Sequence, residues 1–288
     1  MPQSKVAYAF LAVFAVVAVA CTGGAPPAPP SEVVAVRRTT VPEDPADAAW
    51  RDVSAFPAAL VLQDMVEPRL LEPSTRAVEV KAITDGTRIA FRLEWADETA
   101  DNQADVSRFS DACAVQLPAK SGADVPAPQM GESGRAVEIT YWRAAWQAMA
   151  DGREDSIKAL HPGAAVDHYP YQAPPLAPGS PEQVAMAARY APARALENRM
   201  AGPREQPVQD LIAEGPGTIR PAAETHSTGR GTRRPQGWAV TLVRPLPAWI
   251  GPAARSEVAV AVWQGAHGEA GARKMRSVWI PLAVEAAR

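Results

Sequence analysis

The sequence predicts a mainly β protein, namely a two-sheet antiparallel β-sandwich with a long irregular or helical insertion between strands. Three observations favour this fold class. Apolar residues alternate over several short runs, a hairpin turn is predicted at Asp85–Gly86, and a proline-rich stretch at residues 143–235 separates two groups of runs. Since each alternating strand has one apolar face, two stacked sheets are needed to cover these faces.

The hairpin gives the strongest strand signal. In "AVEVKAITDGTRIAFRLEWAD" two alternating runs flank an Asp-Gly pair, which favours a tight turn between antiparallel strands. Further strands are predicted for ACAVQLP, AVEITYW, GWAVTLVRPL, SEVAVAVWQGA and SVWIPLAVEA.

The insertion at residues 143–235 holds many of the 29 prolines. A helix is predicted to begin after Ser180, a good N-cap residue that Pro181 and Glu182 follow. Loops longer than about 12–15 residues are uncommon unless they serve a function. We therefore expect the insertion to cover a ligand site at one end of the sandwich.

The N-terminal segment has the pattern of a signal peptide. Within residues 1–20, Lys5 precedes an uninterrupted apolar run from Val6 to Ala20. This run is shorter than the roughly 20 residues that a membrane span needs, and it suits the apolar core of an export signal.

Cys21 follows the small residues of "AVAC", an arrangement that resembles the bacterial lipobox. We expect lipidation of Cys21, with ordinary signal cleavage beside an unmodified cysteine as the alternative. Residues 21–42 are then a Pro/Gly-rich tether, and residues 43–288 form the folded domain. These features predict a periplasmic or exoplasmic protein that a lipid anchor holds to the membrane.

Charge and cysteine content exclude several classes. Loss of the signal removes Lys5 and no acidic residue, so the net charge moves from −3 to −4, and no long basic stretch suggests nucleic acid as a partner. Cys113 lies in an apolar run and is expected to pack in the core. There is no C-x-x-C-H for covalent haem and no cysteine cluster for zinc or iron–sulfur.

No catalytic motif is present. The sequence lacks G-x-S-x-G, H-E-x-x-H and the glycine-rich loops that bind phosphates or dinucleotides. The acidic stretch "EWADETADNQAD" lacks the ligand spacing of an EF-hand, so a solvated loop is favoured over a calcium site.

Two methionines occupy irregular segments. Met130 lies in a Pro/Gly-rich loop directly before a predicted strand, and Met200 lies near the end of the insertion. Methionine usually fills cores, but its thioether is also a soft ligand that haem iron accepts. Both interpretations are open from composition alone.

Colinear segments of the chain resemble the γ, haem b subunit of ethylbenzene dehydrogenase and its relatives, which include dimethylsulfide dehydrogenase, selenate reductase and chlorate reductase. The resemblance runs from about Asp44 to Leu282. The segments that carry it are DPADAAWRDVSAFPAALVLQDM, VEVKAITDGTRIAFRLEWADET, RFSDACAVQLP, PQMGESGRAVEITYWRAAWQ, VQDLIAEGPGTI and VAVWQGAHGEAGARKMRSVW.

The resemblance implies one non-covalent haem b at the edge of the sandwich, under the insertion. It implies Met130 as an axial ligand, with Gly131 allowing the close turn of its loop. The segment where the family can carry a second ligand has no lysine here, so Met200 is preferred and Lys274 is the alternative.

Further contacts with the porphyrin follow from the same resemblance. The aromatic wall is assigned to Tyr141, Trp142 and Trp146, although each could equally pack in the core. Arg273 and Lys274 are the candidate partners of the haem propionates, and Arg276 could serve similarly.

The implied role is electron transfer without catalysis by this chain. The implied partners are a molybdenum catalytic subunit, an iron–sulfur subunit, and a soluble cytochrome or other electron carrier. Two alternatives remain from sequence alone. A carbohydrate-binding module predicts an exposed aromatic platform, whereas a purely structural lipoprotein predicts that Met130 matters only for packing.

Overall fold

The computed structural model of the chain describes residues 30–122, 124–165, 176–177, 179–190, 193, 196, 198–252 and 255–286. Within these residues the chain forms fourteen strands and three α-helices. The strands are β1 Val33–Arg37, β2 Phe56–Ala59, β3 Val61–Leu62, β4 Ala77–Thr84, β5 Arg88–Ala96, β6 Ala112–Pro118, β7 Val137–Arg143, β8 Val208–Ala213, β9 Arg220–Pro221, β10 Thr228–Arg234, β11 Gly237–Pro245, β12 Ser256–Trp263, β13 Met275–Arg276 and β14 Ile280–Val284. The helices are α1 Ala144–Ala150, α2 Ile157–Leu160 and α3 Pro181–Tyr190.

The strands form two halves that share β12. Hydrogen bonds connect them in the order β10-β11-β5-β4-β1-β14-β12-β6-β7-β8-β9. The first part of β12 pairs with β14, and residues from Ala259 to Trp263 pair with β6. Most pairs are antiparallel, but β1 lies parallel to both β14 and β4.

The two halves pack face to face over one apolar core. That core combines Phe91, Leu93 and Val240 of the first half with Cys113 and Val115 of the second. Trp142 of β7 lies between the halves, with its ring 5.2 Å from that of Trp238 and 6.5 Å from that of Trp95. The predicted fold class, a mainly β protein with a β-sandwich arrangement, is confirmed.

Local sequence explains the strand boundaries. At the predicted hairpin, the Asp85 carboxylate accepts hydrogen bonds from the Thr87 and Arg88 backbone N–H groups, at 2.8 and 2.7 Å. Gly86 adopts a φ of +88°, which glycine accommodates without strain. The turn joins β4 to β5, and the other predicted strands correspond to β6, β7, β11, β12 and β14.

The folded part begins earlier than the sequence indicated. Residues 33–37, inside the range predicted as tether, form β1, which pairs with β4 and β14 and buries the side chains of Val33 and Ala35 in the apolar core. Residues 1–20 and Cys21 lie outside the described residues.

The described part of the insertion contains three strands that the sequence did not predict. Its C-terminal part forms β8, β9 and β10, which belong to the two halves of the sandwich. In β10 the glycines permit close packing, since a Cβ at Gly231 would overlap the Trp142 ring. The predicted helix is confirmed as α3, and the Ser180 hydroxyl caps it by accepting a hydrogen bond from the Gln183 N–H at 3.2 Å.

Candidate functional site

A cavity of about 510 Å³ lies on the outer face of the second half of the sandwich. Its volume falls in the range of roughly 300–1,000 Å³ that small-molecule and cofactor sites occupy. Alternate residues of three neighbouring strands line it, because side chains two apart point to the same face of a strand. These residues are Ala114 and Gln116 of β6, Ile139, Tyr141 and Arg143 of β7, and Ala259, Ala261 and Trp263 of β12.

Alanine side chains on β6 and β12 form the floor of the cavity and leave space above the sheet. Ala114 and Ala261 are direct cross-strand partners at its centre, and Ala259 pairs with Gln116 beside them. Larger rings stand next to this floor, with Tyr141 and Trp263 in edge-to-face contact at 5.3 Å between ring centroids. The result is a shallow, largely apolar surface bordered by aromatic rings, a shape that suits a flat ligand.

Backbone hydrogen bonds fix the loop that carries Met130. The N–H of Gly131 donates to the carbonyl of Ala127 at 2.9 Å, and the Met130 carbonyl accepts from the N–H of Gly215 at 2.8 Å. Met130 itself has a φ of +71°, an uncommon conformation for a residue with a Cβ. The loop therefore holds the Met130 side chain in a defined place at the cavity.

Lys274 meets Met130 inside the cavity. Its Nζ lies 3.5 Å from the Met130 Sδ and 5.1 Å from the centre of the Trp263 ring. The lysine is only 7% exposed, and among the described residues no carboxylate forms an ion pair with it. Burial, aided by the nearby Arg276 charge, lowers the pKa of Lys274 to about 8. A neutral amine is therefore accessible near neutral pH.

The backbone around Lys274 explains its position. β13 pairs with β12 on one side and β3 on the other, and the Lys274 carbonyl accepts a hydrogen bond from the Gln63 N–H at 3.1 Å. This pairing brings Lys274 beside a methionine 144 residues away in sequence.

Met200 also reaches this cavity. It lies in a turn of the insertion and packs against the same apolar cluster as Met130 and Tyr141. The structure thus brings both predicted methionines and Lys274 to one site, and it places Lys274 in contact with Met130.

Three of the other predicted contacts lie outside the cavity lining. Trp142 is fully buried in the core, where its Nε1–H donates to Gln147. Trp146 supports Tyr141 from the side, at 5.4 Å between ring centroids. The Arg273 guanidinium lies 6.0 Å from the ring of Phe109.

Charged residues that the sequence did not single out also line the cavity. Arg143 continues the Ile139–Tyr141 alternation of β7, a signal that was available in the sequence. Glu269 also lines the cavity and is 1% exposed, although it lies in a Gly- and charge-rich segment. Arg276, a suggested propionate partner, lines the cavity as well, and its nearest carboxylate is the exposed Asp64 at 3.9 Å.

The described residues contain neither a metal-binding cluster nor a membrane-spanning helix. No group of three or more His, Cys, Asp or Glu side chains in this part of the chain is arranged to hold a metal ion. Likewise, none of its helices has the length and apolar character needed to cross a membrane. Cys113 is a buried free thiol whose pKa burial raises well above its ordinary value.

The fold and site together define a β-sandwich in which a half-buried methionine contacts a buried lysine at an apolar cavity. The family model described as ethylbenzene dehydrogenase matches residues 47–275, which is most of the sequence. The chain belongs to the ethylbenzene dehydrogenase family.

Known proteins give two further comparisons. A protein of Haloferax mediterranei, whose name is that of a respiratory nitrate reductase heme subunit (ORF7), is 32% identical over 123 residues, and the match covers 42% of this chain and 42% of that protein. Two structures of a family 9 carbohydrate-binding module from Caldicellulosiruptor kristjanssonii, with cellotriose and with glucose, align at 7% identity. Their TM-scores are 0.43 and 0.39, with 89% of this chain and 94% and 96% of those chains covered. Likeness at that level bears on neither fold nor function.

Proposed function

We propose that this chain holds one haem b non-covalently in the cavity and acts as the electron-transfer subunit of an exported molybdenum oxidoreductase complex. The observation that carries the proposal is the contact between the half-buried Met130 thioether and the buried Lys274 amine, within an apolar cavity of cofactor size. Haem supplies one-electron exchange, and a methionine ligand favours a raised reduction potential.

The residues present fit this group. A thioether and a neutral amine are both donors that haem iron accepts, and neither carries a charge that must be buried with it. The sequence favoured Met200 as the partner of Met130, but we now propose Lys274, because its nitrogen already contacts Met130 and burial favours its uncharged form. In this proposal Met200, which belongs to the insertion, packs against the haem and does not bind its iron.

Haem also brings two carboxylates, which need cationic or hydrogen-bonding partners. Arg276 is 7% exposed and its Nε–H has no hydrogen-bond partner among the described residues, so it can donate a hydrogen bond to such a carboxylate within the cavity. Arg143 offers a second guanidinium on β7. Tyr141 and Trp263 supply the aromatic wall, while Trp146 acts by supporting Tyr141.

A subunit of this kind has partners rather than a substrate. We infer that a molybdenum catalytic subunit and an iron–sulfur subunit exchange electrons with this chain, and that a soluble cytochrome or another carrier serves as the external partner. The family match and the name of the Haloferax relative support this inference. Catalysis then belongs to a partner chain.

Localisation is proposed on the sequence alone. We infer export by residues 1–20 and anchoring through lipidated Cys21, which leaves the sandwich on the outer side of the membrane. Expression with a labelled fatty acid should label the wild-type chain and leave Cys21→Ser unlabelled. Label on neither chain, with both exported, would favour ordinary signal cleavage.

The tryptophans do not support the alternative of a carbohydrate-binding module. All eight tryptophans are buried or half-buried, so none offers an exposed platform for a sugar ring. A purely structural role leaves the burial of an unpaired lysine against a methionine without explanation.

Optical spectroscopy tests the proposed function. The mature chain, produced with ample haem, should show a b-type pyridine haemochrome and a low-spin spectrum when reduced. Met130→Ala and Lys274→Ala should each lose the low-spin spectrum, whereas Met200→Leu should retain it. A colourless wild-type protein contradicts the proposal, and loss in Met200→Leu but not in Lys274→Ala would instead favour two methionine ligands.

A further inference from the structure

We propose that Glu269 is a redox-linked proton acceptor of the cavity, which takes up one proton from solvent when the bound haem iron is reduced by one electron. The inference rests on the proposed function, and it adds a residue and a pH dependence that haem binding alone does not require. Glu269 acts through its charge, since it contacts neither Met130 nor Lys274 by a hydrogen bond.

The geometry at Glu269 leaves one carboxylate oxygen in need of a partner. The side chain lines the cavity and is 1% exposed. Its Oε2 accepts a hydrogen bond from the Gln264 N–H at 2.9 Å, whereas its Oε1 is buried without any hydrogen-bond partner. The Ser74 hydroxyl lies nearby but does not complete a hydrogen bond with it. A proton on Oε1 would remove the cost of burying this charge unpaired.

The charged groups around Glu269 do not neutralise it. No ion pair with it forms among the described residues, even though Lys274, Arg276 and Arg143 line other parts of the cavity. Burial raises the pKa of Glu269 above its ordinary 4.5, and the negative charge of Asp97 raises it further. Three neighbours lower the pKa of Glu269 and so oppose that shift: the polar groups of Ser74 and Gln264, and the charge of His267.

The electrostatics give the direction of the coupling. If two uncharged side chains held the iron, its reduction would remove one positive charge from a largely apolar cavity and would make an ionised carboxylate there less favourable. The electron comes from the redox partner, the proton comes from bulk water, and the only bond formed on Glu269 is Oε1–H. Exposed residues lie close to Glu269 along the chain, namely His267 and Ala270.

The linkage predicts a potential that falls as the pH rises. Between the pKa of Glu269 with oxidised haem and its pKa with reduced haem, the reduction equilibrium should change by up to tenfold per pH unit, about 59 mV for one electron. Glu269→Gln should abolish most of this slope, and its potential should lie above that of the wild type at the alkaline end and converge with it at the acid end.

Redox titration of the haem-loaded full chain between pH 5 and 9 tests the inference. Glu79→Gln, which removes an exposed carboxylate on β4, controls for the change in net charge and should keep the wild-type slope. An equal slope in Glu269→Gln and wild type, or no slope in either, would overturn the assignment while leaving haem binding intact. Failure to bind haem at all would instead overturn the proposed function and, with it, this inference.

Infrared spectroscopy of the wild type tests the same inference without requiring that a variant folds. In protein labelled with carbon-13 glutamate, reduction should produce an infrared band of a protonated carboxylic acid that carries the isotope shift. A band that does not shift would assign the proton to a carboxyl group other than a glutamate, such as Asp111 or a haem propionate, and would contradict the role of Glu269.

Discussion

At the scale of single residues, Gly131 decides whether Met130 reaches the cavity. It has a φ of +78°, and a Cβ there would lie 2.7 Å from the Arg135 carbonyl oxygen and 3.1 Å from that of Ala213. We expect Gly131→Ala to cost roughly 1–3 kcal/mol in unfolding free energy, since both the backbone conformation and the close approach resist a side chain. Haem affinity should fall with it, as measured by haem titration of the variant.

A second glycine in the same loop separates these two effects. Gly134 has a similar φ of +74°, but a Cβ there would meet nothing within 4 Å. Gly134→Ala should therefore show the conformational cost alone and retain haem affinity. Equal loss of affinity in both variants would show that the close contacts of Gly131 are unimportant.

Arg276 and Arg273 differ in position although both were candidates for propionate binding. Both have a buried Nε without a hydrogen-bond partner among the described residues, but Arg276 lines the cavity, whereas Arg273 lies against Phe109. Because a hydrogen bond to a charged group contributes about 1.5–3 kcal/mol, Arg276→Gln should weaken haem binding roughly ten- to hundredfold. Arg273→Gln should change haem affinity little, as measured by competitive haem transfer. A larger loss of affinity in Arg273→Gln than in Arg276→Gln would assign the propionate contact to Arg273.

At the scale of elements, Asp111 ties the start of β6 to two loops. Its carboxylate accepts hydrogen bonds from the backbone N–H groups of Asp101 and Gly265 and from the Trp238 indole, at 2.7, 2.8 and 2.9 Å. Burial raises the pKa of Asp111 from 3.8 to about 7, against the effect of these donors.

This shift predicts how stability depends on pH. Since the folded state holds the Asp111 proton more tightly than the unfolded state, its contribution to stability is largest near pH 4 and declines towards pH 7, by at most about 1.4 kcal/mol per pH unit. The stability difference between wild type and Asp111→Asn, measured by urea unfolding of the apo chain, should shrink over that interval. The exposed Asp52→Asn should show a constant difference, and a growing difference for Asp111→Asn would contradict the shift.

The elements that sequence predicts well are those set by local pattern. The β4–β5 hairpin follows from alternation around Asp85–Gly86, and α3 follows from its Ser180 cap. The contact between Met130 and Lys274 has no local signature, because it depends on β13 pairing between β12 and β3. The sequence could name both residues as candidates, but only tertiary pairing selects which of them meet.

At the scale of the whole molecule, β1 joins parts of the sheet that no other strand connects directly. Short strands with parallel partners far away in sequence are hard to predict, and β1 lies between β4 and the C-terminal β14. The Glu285 N–H donates to the Ala35 carbonyl at 3.1 Å, and the Arg38 N–H donates to the Thr84 carbonyl at 2.9 Å. The chain before residue 43 is thus partly structural, whatever the role of the segment ahead of it.

Two truncations distinguish a tether from a strand. A chain that begins at residue 30 keeps β1 and should retain the stability of the mature protein. A chain that begins at residue 43 loses the buried Val33 and Ala35 and leaves the edges of β4 and β14 unpaired. Its unfolding free energy should fall by roughly 3–5 kcal/mol, and it should aggregate more readily.

Val33→Ala and Val34→Ala give a milder comparison, because Val33 is 1% exposed and Val34 is 37% exposed on the same strand. Only the Val33 change should lower the denaturation midpoint appreciably. If the chains that begin at residues 30 and 43 proved equally stable, residues 33–37 would contribute nothing to the stability of the sandwich.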